Sequence, residues 1–272
     1  MEDTGGHRAI RHKAERGSFE MILPPELLRF LGTEKAIDRS GHSPAKVFET
    51  GKGYFVKCDE PGELAREFQM TQLFYEMGFG PEAVLYTTLD RDYLVTRKVP
   101  GEDLTKDLHD PLHTCRLLAE ALRMLHAQPA GRQRDGALPV SSRYERYMAS
   151  ADGPSGGGYY DPSVYTDRYR LSSKEEAWEI MQSGRKLLRC DTLIHGDACL
   201  PNVMAEGGAF RSFIDVAMGG IGDRHIDLYW AVWSLEYNLK TDAYTDVFLD
   251  LYGRGDFSED MFRVIAAFEA FG

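Results

Sequence analysis

The stretch His195-Gly196-Asp197-Ala198-Cys199-Leu200-Pro201-Asn202, with Ile214-Asp215 downstream, decides how the rest of this sequence is interpreted. Asp197 offers a carboxylate that accepts a proton from a hydroxyl group, although an Asp in a turn also serves as a structural cap. Asn202 and Asp215 offer the hard oxygen atoms that magnesium prefers. Because a base and two metal ligands at this spacing are typical of phosphoryl transfer, we predict Asp197 as the catalytic residue and Asn202 and Asp215 as magnesium ligands.

The composition is that of an acidic globular chain. With 272 residues the chain is long enough for a large core, and its four cysteines lack a paired C-x-x-C spacing, so we expect reduced, mostly buried thiols rather than zinc. The formal charge of −11 argues against nucleic-acid binding and is compatible with a cationic small-molecule substrate. Because no apolar run is long enough to span a membrane, we expect a soluble cytoplasmic protein, a monomer or weak dimer, with no membrane partner.

The order of the predicted elements divides the chain into two lobes. Residues 1–20 are charged and poor in apolar side chains, which predicts a flexible arm. Residues 21–99 are predicted to form a small lobe with strands at 45–48, 54–57, 84–86 and 93–96 and helices after Pro25 and over 61–77. Residues 100–272 are predicted to be mainly helical, with helices over 113–127 and 173–188, three more within 227–271, and a loop over 149–163. The fold class is therefore α+β.

Lys57 lies in an apolar strand, where an unpaired ammonium group is costly to bury. Glu67, on the following helix, is the predicted partner, as in the ion pair that kinases use to hold nucleotide phosphates. Glu63 on the same helix face and a solvated Lys57 are the alternatives.

Asp227 and His225, which both follow Asp215 in the sequence, each have two interpretations. Asp227 either caps the helix that follows it or braces the catalytic loop. His225 is a catalytic base or zinc ligand on one interpretation and a structural hydrogen-bonding residue on the other. No G-x-x-x-x-G-K-[ST] motif occurs, which disfavours P-loop chemistry and leaves the backbone amides of residues 43–46 as candidates for holding phosphate.

These residues resemble the aminoglycoside phosphotransferases, in particular the 3′-phosphotransferase branch, over residues 22–272. Because Asp215 is followed by Val216-Ala217 rather than Phe-Gly, the similarity is to small-molecule kinases rather than protein kinases. The matching motifs are Ser43-Pro44-Ala45-Lys46-Val47-Phe48, Lys57, Ala65-Arg66-Glu67, Val99-Pro100-Gly101, His195 to Asn202, Ile214-Asp215, and Gly222 to Leu228.

The resemblance implies a two-lobed, protein-kinase-like fold that transfers phosphate from ATP, with GTP as the alternative, to an aminoglycoside hydroxyl group and so confers resistance. By position it implies that Phe55 stacks on the nucleobase and that the backbone of Thr96 and Lys98 bonds it. It also implies that Ser43 and Ala45 cover the phosphates. Lys57 and Glu67 form the ion pair, and Asn202 and Asp215 hold Mg²⁺.

The expected substrate contacts depart from the family pattern. Asp161, Asp167, Glu236, Glu269 and the terminal carboxylate of Gly272 are the candidates for holding the amines of the antibiotic. Many family members follow the second Asp with x-Gly-Arg, whereas this chain has Val216-Ala217-Met218, so either activity is lower or another cation substitutes.

Two alternative functions are left open. The first is a kinase of another hydroxylated small molecule, such as a macrolide, a peptide antibiotic or an amino alcohol. The second is a catalytically silent nucleotide-binding module.

Overall fold

The computed structural model describes residues 25–31, 36–41, 44–130, 138–153 and 159–272. The predicted arm over 1–20 and the phosphate-site candidate Ser43 lie outside these residues. The chain divides into two compact units. The first holds the described residues up to Tyr75 together with Pro81–Lys98, and the second holds Glu76–Gly80 and Val99–Gly272. The first unit thus ends one residue before the predicted lobe boundary at 99.

The first unit is built on a five-stranded antiparallel sheet in the order β1-β2-β3-β5-β4. Its elements are α1 (Pro25–Leu31), β1 (Ile37–Asp38), β2 (Lys46–Glu49), β3 (Tyr54–Asp59), α2 (Ala65–Glu76), β4 (Ala83–Thr88) and β5 (Asp92–Arg97). The predicted strands over 45–48 and 54–57 are confirmed as β2 and β3, which pair as an antiparallel hairpin. The predicted helix over 61–77 begins later, because Pro61 to Leu64 form a turn before α2.

One face of this sheet carries the apolar core of the first unit. Leu27 and Phe30 of α1 pack with Val56, Cys58, Tyr93 and Val95. Since side chains alternate along a strand, Phe55 and Lys57 lie on the opposite face of β3. The register pairs Phe55 with Thr96 and Lys57 with Leu94, so these cross-strand neighbours share that face.

The second unit is mainly helical. Its helices are α3 (Pro111–His126), α4 (Ser142–Asp152), α5 (Lys174–Gly184), α6 (Arg224–Leu239), α7 (Thr245–Tyr252) and α8 (Glu259–Ala270). Its strands are β6 (Glu102–Asp103), β7 (Thr192–Ile194), β8 (Val203–Glu206), β9 (Ala209–Phe213) and β10 (Gly220–Gly222). Strands β6, β8 and β9 form one antiparallel sheet, and β7 pairs with β10. The α+β prediction is therefore confirmed.

The predicted helix over 113–127 is confirmed as α3. Leu117, Leu118, Ala121, Leu122 and Leu125 are all buried, as the helical spacing indicates. The helix begins where Asp110 accepts a hydrogen bond from the amide of His113 and Pro111 occupies the first turn. Among the described residues, no helix is long and apolar enough to cross a membrane.

The prediction of a loop over 149–163 is wrong in its first part, because α4 continues to Asp152. Ser141 caps this helix, and Tyr147 and Ala151 are buried on its inner face. Tyr147 stacks on Phe268 of α8 with ring centroids 4.9 Å apart. Burial against α8 thus outweighs the low helix propensity of Ser150 and Asp152 near its end.

Candidate active site

Asp197 lies in the loop that follows β7, with 34% of its side chain exposed. Its amide donates to Nδ1 of His195 (3.1 Å), and Nε2 of His195 lies 2.9 Å from the carbonyl oxygen of Ile214. Because an amide only donates and a carbonyl only accepts, His195 carries its proton on Nε2. His195 is therefore a neutral residue that shapes the loop, and the carboxylate that faces solvent is that of Asp197.

Asp227 braces this loop from inside α6. Its fully buried carboxylate accepts hydrogen bonds from the amides of His195 and Gly196, each 2.7 Å long, and lies 3.0 Å from Nε2 of His126. Asp223 caps α6. Of the two roles predicted for Asp227, capping and bracing, it therefore has the second: it braces the catalytic loop. Charge-assisted bonds to two consecutive amides fix the backbone just before Asp197.

Gly196 makes this tight turn possible. Its φ is +81°, and a Cβ there would lie 2.4 Å from the carbonyl oxygen of Met218. Any other residue would be strained and would push the loop away from the segment after Asp215. The loop is held on its far side by Ser234, whose Oγ accepts a hydrogen bond from the amide of Leu200 (2.9 Å).

Asn202 and Asp215 are neighbours through the backbone, since the amide of Ile214 donates to the carbonyl oxygen of Asn202 (3.0 Å). The side-chain amide of Asn202 donates to the carbonyl oxygen of Asp197 (2.9 Å) and to its Oδ2 (3.1 Å). Because the NH₂ group is used in this way, the oxygen of the Asn202 side chain is the atom suited to a metal. An amide oxygen and a carboxylate fit Mg²⁺, which keeps water and phosphate as further ligands. Metal binding stays a prediction.

The alternative of zinc receives no support in the described part of the chain, where no group of three or more His, Cys, Asp or Glu residues is arranged for a metal. Nδ1 of His225 is 2.7 Å from Asp223, and Nε2 accepts a hydrogen bond from the amide of Ser258 (3.2 Å). His225 thus has the structural role. Cys58 and Cys115 are buried as predicted, whereas Cys190 is exposed.

In the first unit, Lys57 and Glu67 form the predicted ion pair. Nζ of Lys57 lies 2.7 Å from Oε2 and 2.9 Å from Oε1 of Glu67, and both side chains are largely buried. The observed partner is thus Glu67, and the solvated state of Lys57 is excluded. The pair joins β3 to α2 on the face of the sheet that also carries Phe55.

The start of α2 is fixed by a second buried carboxylate, Asp92 at the beginning of β5. It accepts hydrogen bonds from the amides of Gly62 and Leu64, both 3.0 Å long, and from the hydroxyls of Tyr86 and Thr88. Burial raises the pKa of Asp92, but these hydrogen bonds outweigh it and lower the pKa below 3.8. Asp92 thereby holds α2 on the sheet and sets the position of Glu67.

The other nucleotide candidates of the first unit lie on or beside the same sheet. Phe55 is half-buried in β3, and Ala45 is buried just before β2. Thr96 lies within the sheet, opposite Phe55 on one side and Ala83 on the other. The resemblance implies the backbone of Thr96 and Lys98 for the nucleobase, and of these groups the amide of Lys98 donates to the carbonyl oxygen of Gly53 (2.9 Å).

The substrate candidates of the second unit fall into two groups. In the first, the amide of Asp167 lies 3.3 Å from Oε2 of Glu236, and Oε1 of Glu236 accepts a hydrogen bond from Thr245 (2.9 Å). Burial raises the pKa of Glu236, whereas the side chain of Asp167 is 89% exposed. In the second group, the amide of Asp161 donates to the carbonyl oxygen of Ala270 (2.8 Å), which brings Asp161 to the end of α8.

Glu269 and Gly272 belong to this second group. The amide of Gly272 donates to the carbonyl oxygen of Glu269, and Ser150 donates to the carbonyl oxygen of Gly272 (3.4 Å). The Glu269 carboxylate is buried and accepts hydrogen bonds from Arg143, Tyr147 and Trp230. In this structure it therefore binds protein groups rather than facing solvent.

Arg143 and Trp230 are site residues that the sequence analysis missed. Nη2 of Arg143 lies 3.8 Å from Oδ1 of Asp197, and its guanidinium carbon is 4.7 Å from the ring centre of Trp230. A helix-start signal was present, because Ser142 and Glu145 match the capping-box pattern. The pattern predicts a helix at this point but not the residue that α4 brings to Asp197.

A solvent-facing carboxylate on a braced loop, with two hard oxygen donors in the same unit, is typical of a phosphotransferase. The Lys–Glu ion pair of the first unit is a second feature typical of such enzymes. The sequence pattern of the phosphotransferase enzyme family matches residues 36–266. The chain belongs to this family.

Several known proteins that are similar to this chain are aminoglycoside phosphotransferases. The probable aminoglycoside 3′-phosphotransferase of Lactococcus lactis subsp. lactis (strain IL1403) is 35% identical over 92% of this chain and 95% of its own length. The crystal structure of an aminoglycoside-3′-phosphotransferase of type VIII matches with a TM-score of 0.63 at 23% identity, over 86% of this chain and 91% of that one. A mutant of the aminoglycoside phosphotransferase APH(4)-Ia, in a ternary complex with AMP-PNP and hygromycin B, matches with a TM-score of 0.60 at 14% identity, over 90% of this chain and 86% of that one. The predicted fold is confirmed.

Proposed function

We propose that this enzyme transfers the γ-phosphate of ATP to the 3′-hydroxyl group of an aminoglycoside and so confers resistance to it. The observation that carries the proposal is the Asp197 carboxylate, which faces solvent from a loop fixed by Asp227 and lies beside Asn202. The likeness to the Lactococcus lactis protein supports the choice of substrate. Because ATP is a cytoplasmic substrate, we place the reaction in the cytoplasm.

In this mechanism Asp197 accepts the proton of the acceptor hydroxyl group as its oxygen attacks the γ-phosphorus. The bond from the γ-phosphorus to the β,γ-bridging oxygen breaks, and ADP leaves. The rigid loop keeps the Asp197 carboxylate in a fixed position, which lowers the entropic cost of reaching the transition state.

The nucleotide is held by groups of the first unit and the metal by groups of the second. Lys57, oriented by Glu67, contacts the phosphates of ATP, and Phe55 on the same face of the sheet stacks on the base. Asn202 and Asp215 are the proposed ligands of Mg²⁺, which when bound neutralises negative charge on the phosphate oxygens.

The acidic residues of the second unit attract an aminoglycoside, which carries several ammonium groups at neutral pH. The proposed contacts are Asp161, Asp167, Glu236, Glu269 and Gly272. Among these residues Asp167 is the most exposed, and its amide lies beside the carboxylate of Glu236. A kinase of another hydroxylated small molecule is the second candidate, and the internal pairing of Glu269 with Arg143 favours it.

The test is ATP consumption with Mg²⁺ against 3′-hydroxyl aminoglycosides, their 3′-deoxy analogues, macrolides and amino alcohols, with Asp197→Asn as the blank. We expect turnover with the 3′-hydroxyl compounds and none with the 3′-deoxy compounds. Turnover only with another class of compound would establish the second candidate instead. Metal-dependent turnover that requires Asp197 would exclude the catalytically silent module.

A further inference from the structure

A buried cation lies next to the catalytic carboxylate. Nη2 of Arg143 is 3.8 Å from Oδ1 of Asp197, and in the described part of the chain this is the one ion pair that Asp197 forms. The segment after Asp215, Val216–Met218, carries no charge and supplies no such group. The positive charge beside Asp197 therefore comes from α4, far away along the chain.

Arg143 is held rigidly in this position. Its Nη1 donates to both carboxylate oxygens of Glu269, at 2.9 and 2.8 Å, and its guanidinium group stacks on the ring of Trp230. Glu269 is in turn held by Trp230 (2.6 Å) and by the hydroxyl of Tyr147. Because Arg143 is 6% exposed and paired in this way, it loses little freedom when it faces Asp197.

The uncharged segment after Asp215 is what places α4. Oγ of Ser141 donates to the carbonyl oxygen of Met218 (2.7 Å), and Oγ of Ser142 donates to that of Ala217 (3.2 Å). The amide of Ser141 donates to the carbonyl oxygen of Ile221 (2.8 Å). These bonds fasten the first turn of α4 to the backbone beside the catalytic loop, so Arg143, in that turn, is brought to Asp197.

We propose that Arg143 is a positioning residue for the phosphoryl transfer. Its guanidinium group attracts the Asp197 carboxylate, fixes its orientation toward the acceptor hydroxyl group and supplies the positive charge that Val216–Met218 lack. This inference rests on the proposed function. It assigns Arg143, which is anchored by Glu269 and Trp230, to the reaction rather than to folding alone.

The first test compares the steady-state kinetics of Arg143→Met and Arg143→Lys with those of Arg146→Met. Arg146 is on the same helix and lies 3.9 Å from Glu269, but it forms no ion pair with Asp197. We expect Arg143→Met to lower kcat about 10- to 100-fold with KM for ATP and antibiotic changed less than about threefold, as for a misoriented base. Arg143→Lys should recover about tenfold of the loss, and Arg146→Met should keep kcat within about twofold of wild type.

An unchanged kcat for Arg143→Met, or a change in KM alone, would overturn the inference. The second test does not depend on turnover, so it checks the contact between Arg143 and Asp197, on which the inference depends, even if Arg143→Met is too unstable to assay or the proposed substrate is wrong. It measures the Tm of Arg143→Lys alone and with Asp197→Asn. Arg143→Lys should lower Tm less when Asp197 is already neutral, and an equal decrease in both backgrounds would contradict the contact. Wild-type protein without turnover on any aminoglycoside would reject the proposed function separately.

Discussion

Two buried ion pairs, one in each unit, are formed over very different distances along the chain. Lys57 and Glu67 are 10 residues apart and join a strand to the next helix. Arg143 and Glu269 are 126 residues apart and join α4 to α8. The first pair depends on local structure, whereas the second forms only when the whole second unit is packed. We therefore expect the first pair to matter mainly for the nucleotide and the second to matter for both stability and catalysis.

The largest effect on stability is expected from Glu269→Gln. It removes the closer of the two counter-ions of the buried Arg143, since Asp197 lies 3.8 Å away, and should lower the free energy of unfolding by about 3–5 kcal/mol, measured by urea unfolding with tryptophan fluorescence. Glu206→Gln is the matched control, because Glu206 and its partner Arg211 are both about half exposed. The control should cost less than about 1 kcal/mol. A loss for Glu269→Gln no larger than for this control would remove the distinction between the two pairs.

The local pair is tested by Glu67→Gln, for which we expect a smaller effect on stability but a clear one on nucleotide use. Loss of the charge that orients Lys57 should lower kcat/KM for ATP about 10- to 100-fold, the equivalent of one charged hydrogen bond. Glu63→Gln provides the control, since Glu63 is exposed on the neighbouring turn. A larger decrease for Glu63→Gln than for Glu67→Gln would contradict the assignment.

The smallest effect concerns acid stability in the first unit. The pKa of Asp92 is below 3.8 in the folded chain, so its contribution is present above the unfolded value and is lost as pH falls through the folded pKa. Thermal unfolding from pH 6 to about 2 should therefore show a smaller acid-induced decrease in Tm for Asp92→Asn than for wild type, with a lower starting Tm. The exposed Asp90→Asn should follow the wild-type curve. An Asp92→Asn curve parallel to wild type would show that Asp92 is not the group responsible.

These pairs also show how far the sequence carries a prediction. Lys57 and Glu67 were predictable because a buried lysine in a strand requires a partner and the next helix offers one. Strands β2 and β3 and helix α3 followed from the spacing of apolar residues.

Arg143 was not predictable in the same way. Its role depends on the packing of α4, which lies partly in a segment whose Ser and Gly content indicates a loop. Glu269 was predicted as a substrate contact from its position near the end of the chain, and no local pattern indicates its burial against Tyr147 and Trp230. Contacts between residues distant in sequence are set by tertiary structure, and local sequence patterns do not predict them.

The most direct test of the central claim is ³¹P and ¹H NMR of the product that wild type and Asp197→Asn form from ATP, Mg²⁺ and an aminoglycoside with a free 3′-hydroxyl group. We predict a single phosphomonoester at the 3′-oxygen from wild type. The rate for Asp197→Asn should be lower by about 10²-fold or more. Phosphate at another position, or equal rates for the two proteins, would contradict the account.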